Sequence, residues 1–193
     1  MISAIVLAAG KSSRMGEINK LLLPYKKSTI LGTVLQELKN SLVSEIIVVS
    51  HAENNVYQLV KNDATYKYVV NENAKDGLTT SIQCGIRAAD PQASAYLICL
   101  GDMPMLEFTD YNLLINSYLQ GKNKVILVPV FEYERGNPVL FSTHFKDEIL
   151  ALKSTNGCKP VVLNNPDFVS EIIVDNKHYL SDIDTMKDYN QIK

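Results

Sequence analysis

Ile2-Ser3-Ala4-Ile5-Val6-Leu7-Ala8-Ala9-Gly10-Lys11-Ser12-Ser13-Arg14-Met15-Gly16 opens the chain, and Asn19-Lys20-Leu21-Leu22 follows close behind. From Ile2 to Leu7 the residues are apolar except for Ser3, the pattern of a strand buried on both faces. That run feeds into two small residues, a glycine, a hydroxyl pair and an arginine. A loop of this kind offers unpaired backbone N–H groups to phosphate oxygens. Gly10 and Gly16 permit close backbone turns, and Arg14 and Lys20 can neutralise a di- or triphosphate. The spacing is neither Gly-x-Gly-x-x-Gly nor the Gly-Lys-Ser/Thr ending of a P-loop, so a nicotinamide enzyme and a P-loop ATPase are unsupported. From its chemistry alone, the stretch fits a phosphate grip or a plain strand-to-helix turn with solvated basic side chains.

Moving outward, the chain alternates. Leu31, Val34, Leu35 and Leu38 follow the i, i+3, i+4, i+7 spacing of one helix face. Glu45–Ser50 reads as a second buried strand, Glu53–Lys61 as a short helix and Tyr66–Val70 as a third strand. Thr79–Ala89 is a helix with Ile82 and Ile86 inward, and Ala95–Leu100 is a fourth strand running into Gly101-Asp102-Met103-Pro104. A helix starting near Thr109-Asp110 and a strand from Val125 to Val128 complete the regular part. This order argues for an α/β domain with a mostly parallel, Rossmann-like sheet flanked by helices.

After Pro129 the rhythm changes. An irregular segment, Phe131 to Pro138, leads into a short strand at Val139-Leu140-Phe141 and a helix from Phe145 to Leu152. Asn156-Gly157 is a turn, Ile172-Ile173-Val174 a last strand and Thr185–Ile192 a closing helix. Thr185 and Asp188 have capping-box spacing, with Asp in place of the preferred Glu or Gln. No repeat or linker interrupts residues 1–193, so a single domain is expected.

Composition narrows the function classes. With 193 residues, 46% of them hydrophobic and 21% charged, the chain has the makings of a globular core. A formal net charge of −2 gives no cationic field for coating nucleic acid, so any phosphate site must be local. Cys84, Cys99 and Cys158 are odd in number and far apart, and His51, His144 and His178 are equally scattered. Neither a disulfide framework nor a zinc site is indicated. The first apolar run is far shorter than the ~20 residues of a membrane span and has no basic region before it. A cytoplasmic protein without membrane or nucleic-acid partners is the expectation. Cys99 reads as a core residue, Cys84 as an unremarkable helix residue, and the ten tyrosines form no stacking platform.

In an open parallel sheet, ligands bind outside the carboxyl ends of the strands. That rule collects the Gly10–Gly16 loop, Asp102 after the fourth strand, Asn71, Asp76, Gly77, Thr80 and Ser81 after the third, and Asp182 and Asp184 near the end. A carboxylate at Asp102 suits a hard divalent cation, which commonly takes one or two carboxylates plus phosphate oxygens. It is equally the kind of residue that closes a turn. If Asp182-Ile183-Asp184 is extended, alternation puts both carboxylates on one side. Asp184 has a plainer reading as well, an acid favoured by the dipole of the last helix.

Four motifs occur in order: Leu7-Ala8-Ala9-Gly10-x-Ser12-x-Arg14-Met15-Gly16-x-x-Asn19-Lys20-Leu21-Leu22, Gly101-Asp102-Met103-Pro104, Arg135-Gly136-Asn137-Pro138-Val139 and Asp182-Ile183-Asp184-Thr185. Together they resemble the MobA-like nucleotidyltransferases, in particular the molybdenum cofactor cytidylyltransferase branch. The resemblance spans nearly the whole chain. It implies a GT-A-like nucleotidyltransferase domain that transfers CMP from CTP to the terminal phosphate of molybdopterin and releases pyrophosphate.

It also implies roles. Ala8, Ala9 and Gly10 would approach the base, Ser12 and Arg14 the phosphates, and Lys20 the α-phosphate, with Arg14 and Lys20 as the catalytic cations. Thr80 and Ser81 would read a pyrimidine edge, Asp102 and Asp184 would hold Mg²⁺, and Gly136 and Asn137 would face the acceptor. Asn19 before Lys20 resembles cytidylyl members more than guanylyl ones, which tend to carry Asp there. Lys20 is expected on an exposed loop. A molybdenum enzyme or its chaperone is an implied partner for the product.

One stretch departs from the pattern. Where cytidylyl members usually carry Gly-Asp-x-Gly-x-Arg, this chain has Ser154-Thr155-Asn156-Gly157-Cys158-Lys159. The acid is missing, and Lys159 is the nearest stand-in for the arginine on the acceptor side. Two alternatives therefore stay open: transfer to another phosphorylated acceptor such as a sugar or alditol phosphate, and a non-catalytic accessory role in molybdenum-enzyme maturation.

Overall fold

Strand β1 (Ile2–Leu7) is buried along its whole length, because it lies between two parallel neighbours in the middle of the sheet. The computed structural model describes residues 1–10, 19–121 and 125–193. The neighbours are β4 (Glu45–Ser50) and β6 (Ala95–Leu100), with Leu7 in register with Val49 on one side and Leu100 on the other. β5 (Tyr66–Val70) extends the sheet beyond β4. On the other side come β9 (Val139–Ser142), β7 (Ile126–Phe131) and, at the edge, β10 (Val169–Ile173). β9 runs antiparallel to both β6 and β7, and the two-residue β8 (Glu134–Arg135) turns back antiparallel on β7. The sheet is mostly parallel, as the alternation of elements implies.

Alternation along β1 divides the core. Ile2, Ala4 and Val6 face one layer with α1 (Ile30–Lys39) and α4 (Phe108–Gln120), whose Leu31, Val34, Leu35, Leu38, Leu114 and Ile115 are buried there. Ile5 and Leu7 face the opposite layer with α3 (Leu78–Ala88), α5 (Lys146–Ala151) and α6 (Lys159–Asn164), through Ile82, Ile86, Ile149 and Val161. The helix stripe at Leu31, Val34, Leu35 and Leu38 therefore buries as its spacing requires. No helix among the described residues is long and apolar enough to cross a membrane.

Several boundaries differ from expectation for local reasons. The helix expected over Glu53–Lys61 is only α2 (Tyr57–Val60): Asn55 takes φ 58 and Asn54 Oδ1 accepts the Val56 N–H, which makes a turn of the first half. The strand expected to stop before Pro129 runs through it to Phe131, and the Pro129 carbonyl accepts the Gly136 N–H as the chain turns back. Pro removes only its own donor, so the carbonyl side of the ladder survives. The last strand begins earlier than expected, at Val169 rather than Ile172. A small hairpin, β2 (Pro24–Tyr25) with β3 (Ser28–Thr29), carries no Asn-Gly or Gly-Gly signal and was not expected. Nor was helix α6, which begins at Lys159-Pro160; proline is well suited to a first helical turn.

The closing helix α7 (Met186–Ile192) has the anticipated capping box. Thr185 Oγ1 accepts the Asp188 N–H at 3.2 Å, and Asp188 Oδ2 accepts the Thr185 N–H at 2.8 Å. Asp in place of Glu still closes the box.

Candidate active site

The exits of β1 and β6 lie side by side. Gly101 donates its N–H to the Leu7 carbonyl at 3.1 Å, and a Cβ at Gly101 would sit 2.9 Å from that oxygen. The missing side chain lets Asp102 stand directly beside the start of the first loop. Ile183 then donates its N–H to the Asp102 carbonyl at 2.9 Å, bringing the Asp182–Asp184 stretch alongside. Ile183 points into a small apolar cluster with Tyr25, Ile30 and Tyr189, and Asp182 and Asp184 flank it. Carboxylate oxygens of Asp102, Asp182 and Asp184 all lie within 4.8 Å of one another.

Lys20 sits among them. It opens a short 3-10 turn, Lys20–Leu22, capped by Asn19 Oδ1 on the Leu21 N–H at 3.1 Å. Its ammonium lies 2.6 Å from Asp102 Oδ2 and 2.8 Å from Asp184 Oδ1. Lys20 is only 9% exposed, so the expectation of an exposed loop lysine is overturned. The cause is electrostatic: two carboxylates neutralise the ammonium and let the side chain withdraw from water. Burial works against the charged form, but Asp102 and then Asp184 outweigh it and hold the Lys20 pKa above the usual lysine value. Desolvation, then repulsion from Asp102 and Asp184, also pushes the Asp182 carboxyl up, above the usual aspartate value.

One atom bears on whether this donor set suits a cation. Asp102 Oδ1 is buried and has no hydrogen-bond partner among the described residues, an expensive arrangement unless something positive completes it. Among the described residues three carboxylates face the Lys20 ammonium, and all their donor atoms are hard oxygens. The residues fit a divalent cation.

Two adjoining clefts open nearby, and Asp102 borders the first of them. The first, about 420 Å³, is lined by Ala9, Gly10, Lys75, Gly77, Ser81 and Asp102 among others. The second, about 590 Å³, is lined by Gly136, Asn137 and Lys159 with an apolar floor that includes Ile98, Val128 and Phe141. Leu7, Leu78 and Leu100 line both, so the clefts share a wall. The segment between them is stitched across: Leu78 donates its N–H to the Thr155 carbonyl at 3.1 Å, and Thr79 Oγ1 donates to the Gly157 carbonyl at 3.3 Å.

Most residues singled out in the sequence gather here. Ala8 is fully buried, and Ala9 and Gly10 border the first cleft. Ser81 borders it too, held by Asn71 Nδ2 at 2.9 Å. Thr80 is not among the lining residues; its hydroxyl lies 2.9 Å from both the Asn73 and Gly77 carbonyls, which share its single proton. Ser12 and Arg14 lie outside the described residues. The sequence reading overlooked Lys75, an exposed cation on the wall facing Asp102, and Asn54, buried beside β1. Position after β5 was the signal for the first and position after β4 the signal for the second, and neither lies in a motif.

Comparison with known proteins agrees with this layout. Residues 4–168 match the family described as "MobA-like NTP transferase domain". A molybdenum cofactor cytidylyltransferase of Escherichia coli K12 is 26% identical, over 97% of this chain and 93% of that protein. A nicotine blue oxidoreductase of Paenarthrobacter nicotinovorans is 24% identical, over 96% of this chain and 93% of that one. Among solved structures, Rv0371c from Mycobacterium tuberculosis H37Rv superposes with a TM-score of 0.84 at 26% identity, over 99% of this chain and 96% of that one. A second structure of Rv0371c, a complex with manganese, superposes with a TM-score of 0.78 at 24% identity, covering 99% and 97% of the two chains.

Proposed function

The chain belongs to the MobA-like NTP transferase family, and from that membership we propose that it transfers CMP from CTP to the terminal phosphate of a molybdopterin-type acceptor, releasing pyrophosphate. The observation that carries the reading is the Lys20 ammonium set between Asp102 and Asp184, with Asp102 itself lining the Ala9–Gly10 cleft. The cytidylyl choice is supported by Asn19 before Lys20 and by the E. coli relative named as a cytidylyltransferase.

In this reading an acceptor phosphate oxygen attacks the α-phosphorus of CTP in line. One P–O bond forms, the bond to the β-phosphate breaks, and pyrophosphate leaves with its electron pair. The attacking group is already anionic, so no covalent nucleophile is needed, and positioning with electrostatic stabilisation suffices. Lys20 would lie against the α-phosphate and stabilise charge on its oxygens, and Arg14 would do the same. Asp102 Oδ1, Asp184 and Asp182 would hold Mg²⁺, which neutralises phosphate charge when bound. Ser81 lies where a base edge would be read. Gly136, Asn137 and Lys159 would face the acceptor. Its apolar floor suits a flat heterocycle better than a polyol, which favours a pterin over a sugar or alditol phosphate. The product would pass to a molybdenum enzyme or its chaperone.

A pyrophosphate-release assay tests the reading, with each of the four ribonucleoside triphosphates, Mg²⁺ and molybdenum-loaded pterin. Release selective for CTP and dependent on the pterin is expected. Release indifferent to the pterin, or absent with every triphosphate, would overturn it.

A further inference from the structure

Asn54 lies in the turn between β4 and α2 and is 8% exposed. Its side-chain Nδ2 donates to the Ala8 carbonyl at 2.6 Å, where β1 runs out into the loop. Its Oδ1 accepts the Ser50 hydroxyl at 2.6 Å and the Val56 N–H at 3.2 Å. Its backbone carbonyl accepts Asn19 Nδ2 at 2.7 Å, where the chain returns from that loop. The amide orientation follows from its partners, because the Ala8 carbonyl only accepts and the Val56 N–H only donates. One residue therefore holds both ends of the segment between Gly10 and Asn19.

The connection continues to the chemistry. Asn19 caps the turn that begins with Lys20, and Lys20 meets Asp102 and Asp184. We propose that Asn54 is a positioning residue, which anchors both ends of the triphosphate loop to β4 and so sets Lys20 on its carboxylates before substrate binds. Its effect on turnover rests on the nucleotidyl-transfer reading; the anchoring does not. A group held in place beforehand costs no reorganisation at the moment of reaction, and a misplacement of about 1 Å can cost on the order of a hundredfold. Ser50 Oγ also lies 3.3 Å from the Ala8 carbonyl, but its single proton goes to Asn54 Oδ1 at 2.6 Å, which leaves Asn54 as the donor to Ala8. Within this turn Glu53 and Asn55 face solvent, whereas Asn54 is turned inward onto the two ends of the loop.

The isosteric Asn54→Asp isolates the anchor. It keeps the acceptors for Ser50 and Val56 but sets a carboxylate oxygen against the Ala8 carbonyl. Trypsin reads the loop directly. Cleavage after Lys11 and Arg14 is expected to quicken roughly fivefold, as for one lost hydrogen bond, while cleavage after Arg87 within α3 stays unchanged. With CTP and pterin, kcat is expected to fall roughly 10- to 100-fold with little change in KM for the triphosphate. Cleavage at all three sites quickening together, with kcat retained, would show a merely structural residue and overturn the proposal. Should the wild type transfer no nucleotide, the functional reading falls while the tryptic pattern still decides the anchor, unchanged rates overturning it. If Asn54→Asp does not fold, Asn19→Ala releases the other end and is held to the same cleavage pattern.

Discussion

Ile183 donates its backbone N–H to the carbonyl of Asp102 at 2.9 Å, and this bond joins the two carboxylate-bearing segments of the site. Ile183 is 1% exposed, locked among Tyr25, Ile30 and Tyr189, so the aspartates on either side of it are fixed by packing as well as by the chain. Asp188 Oδ2 also takes the Asp184 N–H at 3.3 Å, extending the capping box into the site. The acidic group is thus held by an apolar anchor and a helix cap, and it does not depend on Lys20 to exist.

Asp102→Ala removes the buried Oδ1, which has no hydrogen-bond partner among the described residues, and the carboxylate nearest to Lys20. Pyrophosphate release should fall by at least ~100-fold, because both charge neutralisation and Lys20 alignment are lost. Mn²⁺ affinity, read by electron paramagnetic resonance, should fall with it, while the melting temperature changes little. A variant that binds Mn²⁺ as tightly as the wild type would place the cation elsewhere.

Lys20→Met keeps the side-chain length and deletes the charge. The three carboxylates, within 4.8 Å of one another, then lose the Lys20 ammonium, so the variant should melt lower, by roughly 1–3 kcal/mol in stability. Added Mg²⁺ should raise its melting temperature by more than it raises that of the wild type, since the cation takes over the missing charge. Turnover should fall by far more than the stability loss accounts for. Equal Mg²⁺ responses in the two proteins would detach Lys20 from the cation site.

The residues legible in the sequence were those whose chemistry is local. Ile2–Leu7 and Ala95–Leu100 announced buried parallel strands, and the strand-exit rule gathered Gly10, Ser81, Asp102 and Asp184 without any contact information. What stayed hidden depends on partners far along the chain. Lys20 looked like a surface lysine because its neutralising carboxylates lie 82 and 164 residues away. Asn54 carried no motif, since its role consists of bonds to Ala8 and Asn19. The short hairpin and α6 were missed because a few residues give too little periodicity to read.

Gly136→Ala tests the acceptor side. A Cβ there would lie 2.3 Å from the Tyr179 carbonyl oxygen, which itself accepts the Asn137 N–H at 2.8 Å. Tyr179 is buried and cannot retreat, so β8 and Asn137 must shift outward. The expected cost is about 1–3 kcal/mol of stability, with KM for the acceptor raised and triphosphate affinity unchanged. Calorimetry and separate titrations of the two substrates would check this. A rise in triphosphate Kd alone would contradict the assignment of the second cleft to the acceptor.

The buried thiols set how stability responds to alkali. Burial pushes the Cys158 thiol up to about 12 and raises Cys99 as well, and desolvation also raises Cys84. In the folded chain these groups stay protonated at a pH where the unfolded chain loses their protons. The folded state then binds more protons than the unfolded one, so stability falls as pH rises above about 9. For Cys99 and Cys158 the loss should be about 1 kcal/mol each by pH 10. Lys20 acts in the same direction only above about 10.5, because its raised pKa keeps it charged after an unfolded lysine has begun to lose its proton. Urea denaturation between pH 7 and 10 should therefore show a falling midpoint, and the double variant Cys99→Ala, Cys158→Ala should flatten that slope even though it lowers stability at pH 7. Labelling by a thiol reagent at pH 8 should be slow at Cys99 and Cys158 until denaturant is added. Fast labelling of Cys158 in the folded protein would mean that the α6 end of the acceptor cleft opens in solution far more often than its burial implies.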